Sequence, residues 1–178
     1  MAPPATLGRL WAPWRVRYVR GAEAPAGCLF CRVWRGRNDR GDLVLARRPH
    51  AMLMLNRFPY NTAHLMVAVG RHTGRFAALT GRERADLLDL VGEAEAALAA
   101  AYRPDGMNYG ANSGRVAGAG FLGHLHLHLV PRWNGDTNFM PVTGGTKVLP
   151  ESLSVTWKRL RRALRGSGDA SRDHGPRR

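Results

Sequence analysis

Residues 123–133 read GHLHLHLVPRW, with histidine at every second position, His124, His126 and His128, and leucine between them. A strand turns successive side chains to opposite faces, whereas a helix would scatter positions i, i+2 and i+4 around its axis. The segment therefore reads as a strand that carries three imidazoles on one face and Leu125, Leu127 and Leu129 on the other. The leucine face has to be covered by other elements, and the imidazole face is available for chemistry.

The rest of the chain supplies the partners that such a strand needs. LVLARR (43–48) and AMLMLNR (51–57) read as two short strands linked at Pro49, and HLMVAVG (64–70) as a third, its near-continuous apolar run indicating a covered sheet. RFPYNTAH is a loop, broken by Pro59 and Asn61. Thr80 and Glu83 have the spacing of a capping box, after which Leu87, Leu90, Val91, Ala94, Leu98 and Ala101 recur with helical period until Pro104. GMNYGAN (106–112) reads as a strand that runs into the glycine-rich loop 112–120, and a second helix is expected to start near Pro150. Strands, a long central helix, more strands and a closing helix predict an α+β fold with a mainly antiparallel sheet. The division expected is an extended N-terminal arm over 1–27, one domain over 28–165, and a polar disordered tail over 166–178.

The net charge is +14, and arginine makes up 25 of the 27 basic residues. Guanidinium suits phosphate-bearing ligands, although part of the excess is compositional and part is local to WKRLRRALR (157–165). No ordered basic-aromatic motif supports nucleic-acid binding. No apolar run approaches the roughly 20 residues needed to cross a bilayer, and the N-terminus lacks the apolar core of a signal peptide. A cytoplasmic protein that does not enter the membrane is the expectation. The two cysteines, Cys28 and Cys31, form a C-x-x-C pair, which in such a chain points to metal or redox use before a disulfide.

Two chemistries fit the histidine face. A neutral imidazole can attack phosphorus or move a proton, and a neighbour two residues along, about 6–7 Å away at the backbone, can reach the same phosphate. Alternating histidines on a strand can also ligate zinc.

GHLHLHLVPRW resembles the His-φ-His-φ-His-φ-φ signature of the histidine-triad nucleotide hydrolases and transferases. LWAPWR, CLFC, LNRFPYNTAHLMV, GAN and PRWNGDTNFMPV, in this order over roughly residues 10–150, are similar to the bacterial branch that contains diadenosine-polyphosphate phosphorylases and hydrolases. The resemblance implies that His126 is the nucleophile that attacks an α-phosphate and becomes a nucleotidyl-histidine. It implies that His128 contacts the phosphate and assists the leaving group. His64 matches an additional upstream histidine, Asn56 a residue that binds the ribose hydroxyls, and Asn112 an asparagine close to the phosphate. Trp133 is placed by the same resemblance beside the phosphate or leaving group, with ordinary packing an equal alternative. Where many relatives have Gln or Ser this chain has Gly120, so a side-chain donor is missing and the choice of acceptor is open. Zinc-bearing members use a C-x-x-C pair, a later histidine and the first triad histidine, which correspond here to Cys28, Cys31, His72 and His124. A Cys₂His₂ set would leave the zinc structural. His50 and His174 have no assigned partner.

The reading that follows is an enzyme that cleaves a dinucleoside polyphosphate, nucleoside phosphoramidate or similar conjugate by hydrolysis, with adenine as the expected base. Transfer to phosphate or to a metabolite is the alternative, and a non-catalytic nucleotide-binding protein is a second. The resemblance also implies a homodimer that buries the long helix and the neighbouring strand edge.

Overall fold

The structure, a computed structural model, describes residues 27–136 and 149–170. The expected arm, apart from Gly27, lies outside the described residues. Helix α1 (Leu29–Arg35) leads into strands β1 (Val44–Arg47), β2 (Ala51–Leu55) and β3 (Leu65–Val69). Helix α2 (Gly81–Tyr102), strand β4 (Gly106–Gly110), strand β5 (His126–Arg132) and helix α3 (Leu153–Ala170) follow. The five strands form one antiparallel sheet in the order β1-β2-β3-β5-β4. The architecture is the expected α+β one, with a long central helix and a closing helix.

Strands β2 and β3 are buried at every position because both faces of the sheet are covered. On one face Leu53, Leu55, Leu65, Val67, Val69 and Leu129 meet Leu87, Leu90, Ala94 and Leu98 of α2 and Leu160 of α3. On the other face Met52, Met54, Met66 and Ala68 meet Phe30 and Val33 of α1. Each of these Leu, Val, Met and Phe side chains contributes about 1.5–3 kcal/mol of burial free energy. The register pairs Met66 with His128 and Ala68 with His126, so the imidazoles share the α1 face, while Leu125 and Leu129 enter the α2 core.

The capping box at the start of α2 forms as its spacing predicts: Glu83 N–H donates to Thr80 Oγ1 (3.2 Å) and Thr80 N–H to Glu83 Oε2 (2.8 Å). Glu83 also receives Arg71 on both oxygens (2.8 and 2.9 Å), and these bonds hold its carboxyl down at about 2. They tie the β3–α2 connection, which carries His72, to the helix. The helix ends where Arg103 turns left-handed (φ 47°) ahead of Pro104.

One element is new and one boundary moves. Helix α1 is too short for periodicity to reveal it, and its inward residues Phe30 and Val33 are visible only once the sheet is present. Helix α3 runs to Ala170, five residues past the expected end of the domain at 165. Trp157, Leu160 and Leu164 anchor it on the core, and propagation then adds one backbone hydrogen bond per residue. Among the described residues no helix is long and apolar enough to cross a membrane.

Candidate active site and metal centre

Cys28 precedes α1 and Cys31 lies within it, His72 follows β3, and His124 stands two residues before β5. Their ligand atoms all lie within 4.8 Å of one another. Cys28 Sγ is 3.2 Å from His124 Nδ1, Cys31 Sγ is 3.5 Å from the same atom, and Cys31 Sγ is 3.3 Å from His72 Nδ1. A tetrahedron with metal–ligand bonds of about 2.0–2.3 Å has edges of about 3.3–3.8 Å. The four residues named from the sequence thus fit one cation. The Nε2–H of His124 donates to the Val69 carbonyl (2.7 Å), which leaves Nδ1 unprotonated and turned to the sulfurs.

The other two triad histidines are held in opposite tautomers. The Nδ1–H of His126 donates to the His124 carbonyl (2.8 Å), so its Nε2 keeps a lone pair. The His128 ring is fixed from the other side. Tyr60 N–H donates to His64 Nδ1 (3.0 Å), and Asn56 Nδ2 lies 3.3 Å from the same nitrogen. His64 therefore carries its proton on Nε2 and donates it to His128 Nδ1 (2.9 Å). His128 must carry its own proton on Nε2. One ring presents a lone pair and its neighbour, 5.0 Å away between centroids, presents an N–H. Burial lowers the pKa of both; for His128, burial and then the charge of His126 bring it to about 4. Both rings are neutral near pH 7.

A cleft of about 360 Å³ opens beside His128, lined also by Tyr60, Asn61, Asn108, Asn112 and Arg132. His126 does not line it. It is 4% exposed, with Phe30 at 4.7 Å, and Phe121, just after the glycine-rich loop, packs edge-on to Phe30 at 5.4 Å.

The remaining expected residues are placed differently from one another. Asn112 lines the cleft, with its amide 3.4 Å from the Gly118 carbonyl. Asn56 turns its Oδ1 to Phe58 N–H (2.9 Å) and its Nδ2 to His64, so its carboxamide serves the loop. Trp133 packs edge-on to Tyr102 and donates its indole N–H to the Tyr102 carbonyl (3.3 Å). His50 is held by its backbone, donating to Asp86 (2.8 Å), and His174 lies outside the described residues. Tyr60, Asn61, Asn108, Arg132 and Asp136 also bear on the site without having been singled out. Tyr60 and Asn61 fall within the PYNTAH block and Arg132 and Asp136 within PRWNGD, but neither block says which backbone or carboxylate does the holding.

Residues 38–135 match the model of the HIT domain. The chain is 38% identical over 164 residues to a protein of Mycobacterium tuberculosis named AP-4-A phosphorylase, an overlap of 86% of this chain and 83% of the relative. Among solved structures it is similar to a zinc-bound histidine triad family protein from Mycobacterium smegmatis, with TM-score 0.63, 22% identity, and 81% and 97% of the two chains covered. It is also similar to a hypothetical histidine triad nucleotide-binding protein from Sulfolobus tokodaii, with TM-score 0.62, 20% identity, and 76% and 91% covered. At these identities the two structures speak to the fold alone.

The lowered pKa of His128 predicts a pH dependence of stability. In the folded chain this ring stays neutral down to about 4, whereas its ordinary value is 6.5. Between those values the unfolded chain binds the extra proton, so the free energy of unfolding falls as pH drops through that window. Urea denaturation at several pH values should give a shallower decline for His128→Asn than for the unaltered protein. Equal slopes would contradict a buried neutral ring.

Proposed function

From the membership of this chain in the HIT domain family, we propose that it is a nucleotidyl-transferring enzyme acting on dinucleoside polyphosphates, with His126 as nucleophile and inorganic phosphate as acceptor. The observation that carries the proposal is the pair of opposite tautomers at His126 and His128.

In the first step Nε2 of His126 attacks the α-phosphorus. A P–N bond forms and the bond from phosphorus to the bridging oxygen breaks, with that oxygen keeping the electron pair. The Nε2–H of His128 donates a hydrogen bond to the departing oxygen, which leaves as a phosphate anion, and the ring keeps its proton. The Nδ1–H bond to the His124 carbonyl holds the ring while it becomes cationic. In the second step an oxygen of phosphate attacks the same phosphorus, the P–N bond breaks, and a nucleoside diphosphate leaves. With diadenosine tetraphosphate the products are ATP from the first step and ADP from the second; with water in place of phosphate the second product is AMP. The relative named AP-4-A phosphorylase supports phosphate over water, which the sequence alone had put first.

Zinc is the cation proposed for Cys28, Cys31, His72 and His124. All four positions of a tetrahedron are taken by protein, so the metal supplies structure and no open site for substrate. It would lock α1 and the β3–α2 connection to the residue whose carbonyl orients His126.

Two experiments check these proposals. His126→Asn should lower turnover of diadenosine tetraphosphate on the order of 10⁴-fold or more, and the unaltered enzyme should form ADP only when phosphate is supplied. Full activity in the variant rejects the nucleophile, and AMP as the second product whether or not phosphate is present transfers the assignment to hydrolysis. Metal analysis of protein purified without chelator should give one zinc per chain, and chelation should lower Tm. A ratio far below one, with Tm unmoved by chelator, rejects the metal site.

A further inference from the structure

The proton on His128 is set by Tyr60 N–H acting through His64, yet Tyr60 lies in the irregular segment between β2 and β3. That segment contains Ala63 in the left-handed region (φ 58°), a conformation that L residues rarely adopt, and one fully surrounded by core. Something outside the loop has to hold it in place.

The cross-link is Asn61, 7% exposed. Its Nδ2 donates to the Pro131 carbonyl (3.0 Å) at the end of β5 and to Asp136 Oδ2 (2.7 Å). These bonds use both hydrogens of the amide. Its own carbonyl accepts from His64 N–H (3.2 Å), and the residue before it provides the N–H that reaches His64 Nδ1. Asp136 is the hub. Its Oδ2 also accepts from Arg132 Nε (2.6 Å) and Trp133 N–H (3.1 Å), and its Oδ1 from Arg132 Nη2 (2.7 Å). Arg132 reaches on to Asn108 Oδ1 of β4 (3.0 Å), so the same carboxylate braces three walls of the cleft.

We infer that Asn61 and Asp136 are a positioning pair: they register the loop carrying Tyr60 and His64 against the far end of β5, and so decide which nitrogen of His128 presents a proton to the leaving group. The inference rests on the proposed role of His128 and adds the residues that enforce it. Neither residue touches the reacting atoms. The mechanism is geometric, since loss of the Asn61 bridge frees the Tyr60 amide to drift from His64 Nδ1. The longer bond from the Asn56 amide (3.3 Å) is then the weaker constraint left on the relay, so each ring samples its other tautomer more.

The test uses Asn61→Ala, the shape-conserving Asp136→Asn, and the double variant, all in the full chain. Turnover of diadenosine tetraphosphate with phosphate is measured beside the ring ¹⁵N shifts of His128, assigned by their loss in His128→Asn. The unaltered protein should show a protonated Nε2 and an unprotonated Nδ1. Each single variant should move both shifts toward a tautomer mixture and lower kcat about tenfold or more, with KM within about threefold. The double variant should be no worse than the poorer single one within about twofold, because the pair acts as a unit. Unchanged His128 shifts in the folded variants overturn the inference, whether kcat falls or not, and so do losses that multiply in the double variant. If the unaltered protein fails to turn over the substrate, the proposed reaction is rejected while the shifts still decide the positioning role.

Discussion

The carbonyl of His124 sets which nitrogen of His126 carries a proton, and the amide of Tyr60, with the Asn56 side chain beside it, sets it for His128 through His64. In water an imidazole exchanges between tautomers and takes a second proton near neutrality. Here the carbonyl can only accept and the amide can only donate, so the two rings are driven to opposite tautomers. Burial disfavours the doubly protonated form of both. The neighbouring lone pair and N–H that transfer at phosphorus requires are therefore present before any ligand arrives, at the expense of access to His126.

The fold serves this arrangement through His124, which does two things at once. Its side chain completes the Cys₂His₂ set and is pinned behind by the Val69 carbonyl, while its own carbonyl orients His126. The strand period brings both functions onto the α1 face, and Phe30 of that helix packs against the rings of His124 and His126 alike. A cation held by this set would thus fix the carbonyl that orients His126. The other determinant, Tyr60, has no regular structure to hold it and depends on the bonds its neighbour Asn61 makes to the Pro131 carbonyl of β5 and to Asp136 in the turn after it.

Much of this was legible in the sequence because it follows from periodicity. The alternation in HLHLHL, the apolar runs of β2 and β3 and the Thr80–Glu83 spacing each specify a local geometry, and each formed. The Cys₂His₂ set came from the family resemblance and not from spacing, and its members come together only in three dimensions. What the residues could not convey is direction. Nothing in the sequence shows that the Asn56 amide bridges Phe58 N–H and His64, or that the indole N–H of Trp133 meets the Tyr102 carbonyl. The relay from Tyr60 leaves no trace in the sequence, since a backbone N–H is common to every residue but proline. The depth of His126 depends on Phe30 of a helix too short to announce itself.

The most direct test is to quench the enzyme during turnover of diadenosine tetraphosphate labelled at the α-phosphorus, under conditions that preserve acid-labile phosphoramidates, and to map the label by peptide mass spectrometry. Label carried as an adenylyl group on His126 is the predicted result. Label on another residue, or none during active turnover, would contradict a nucleophile at that position.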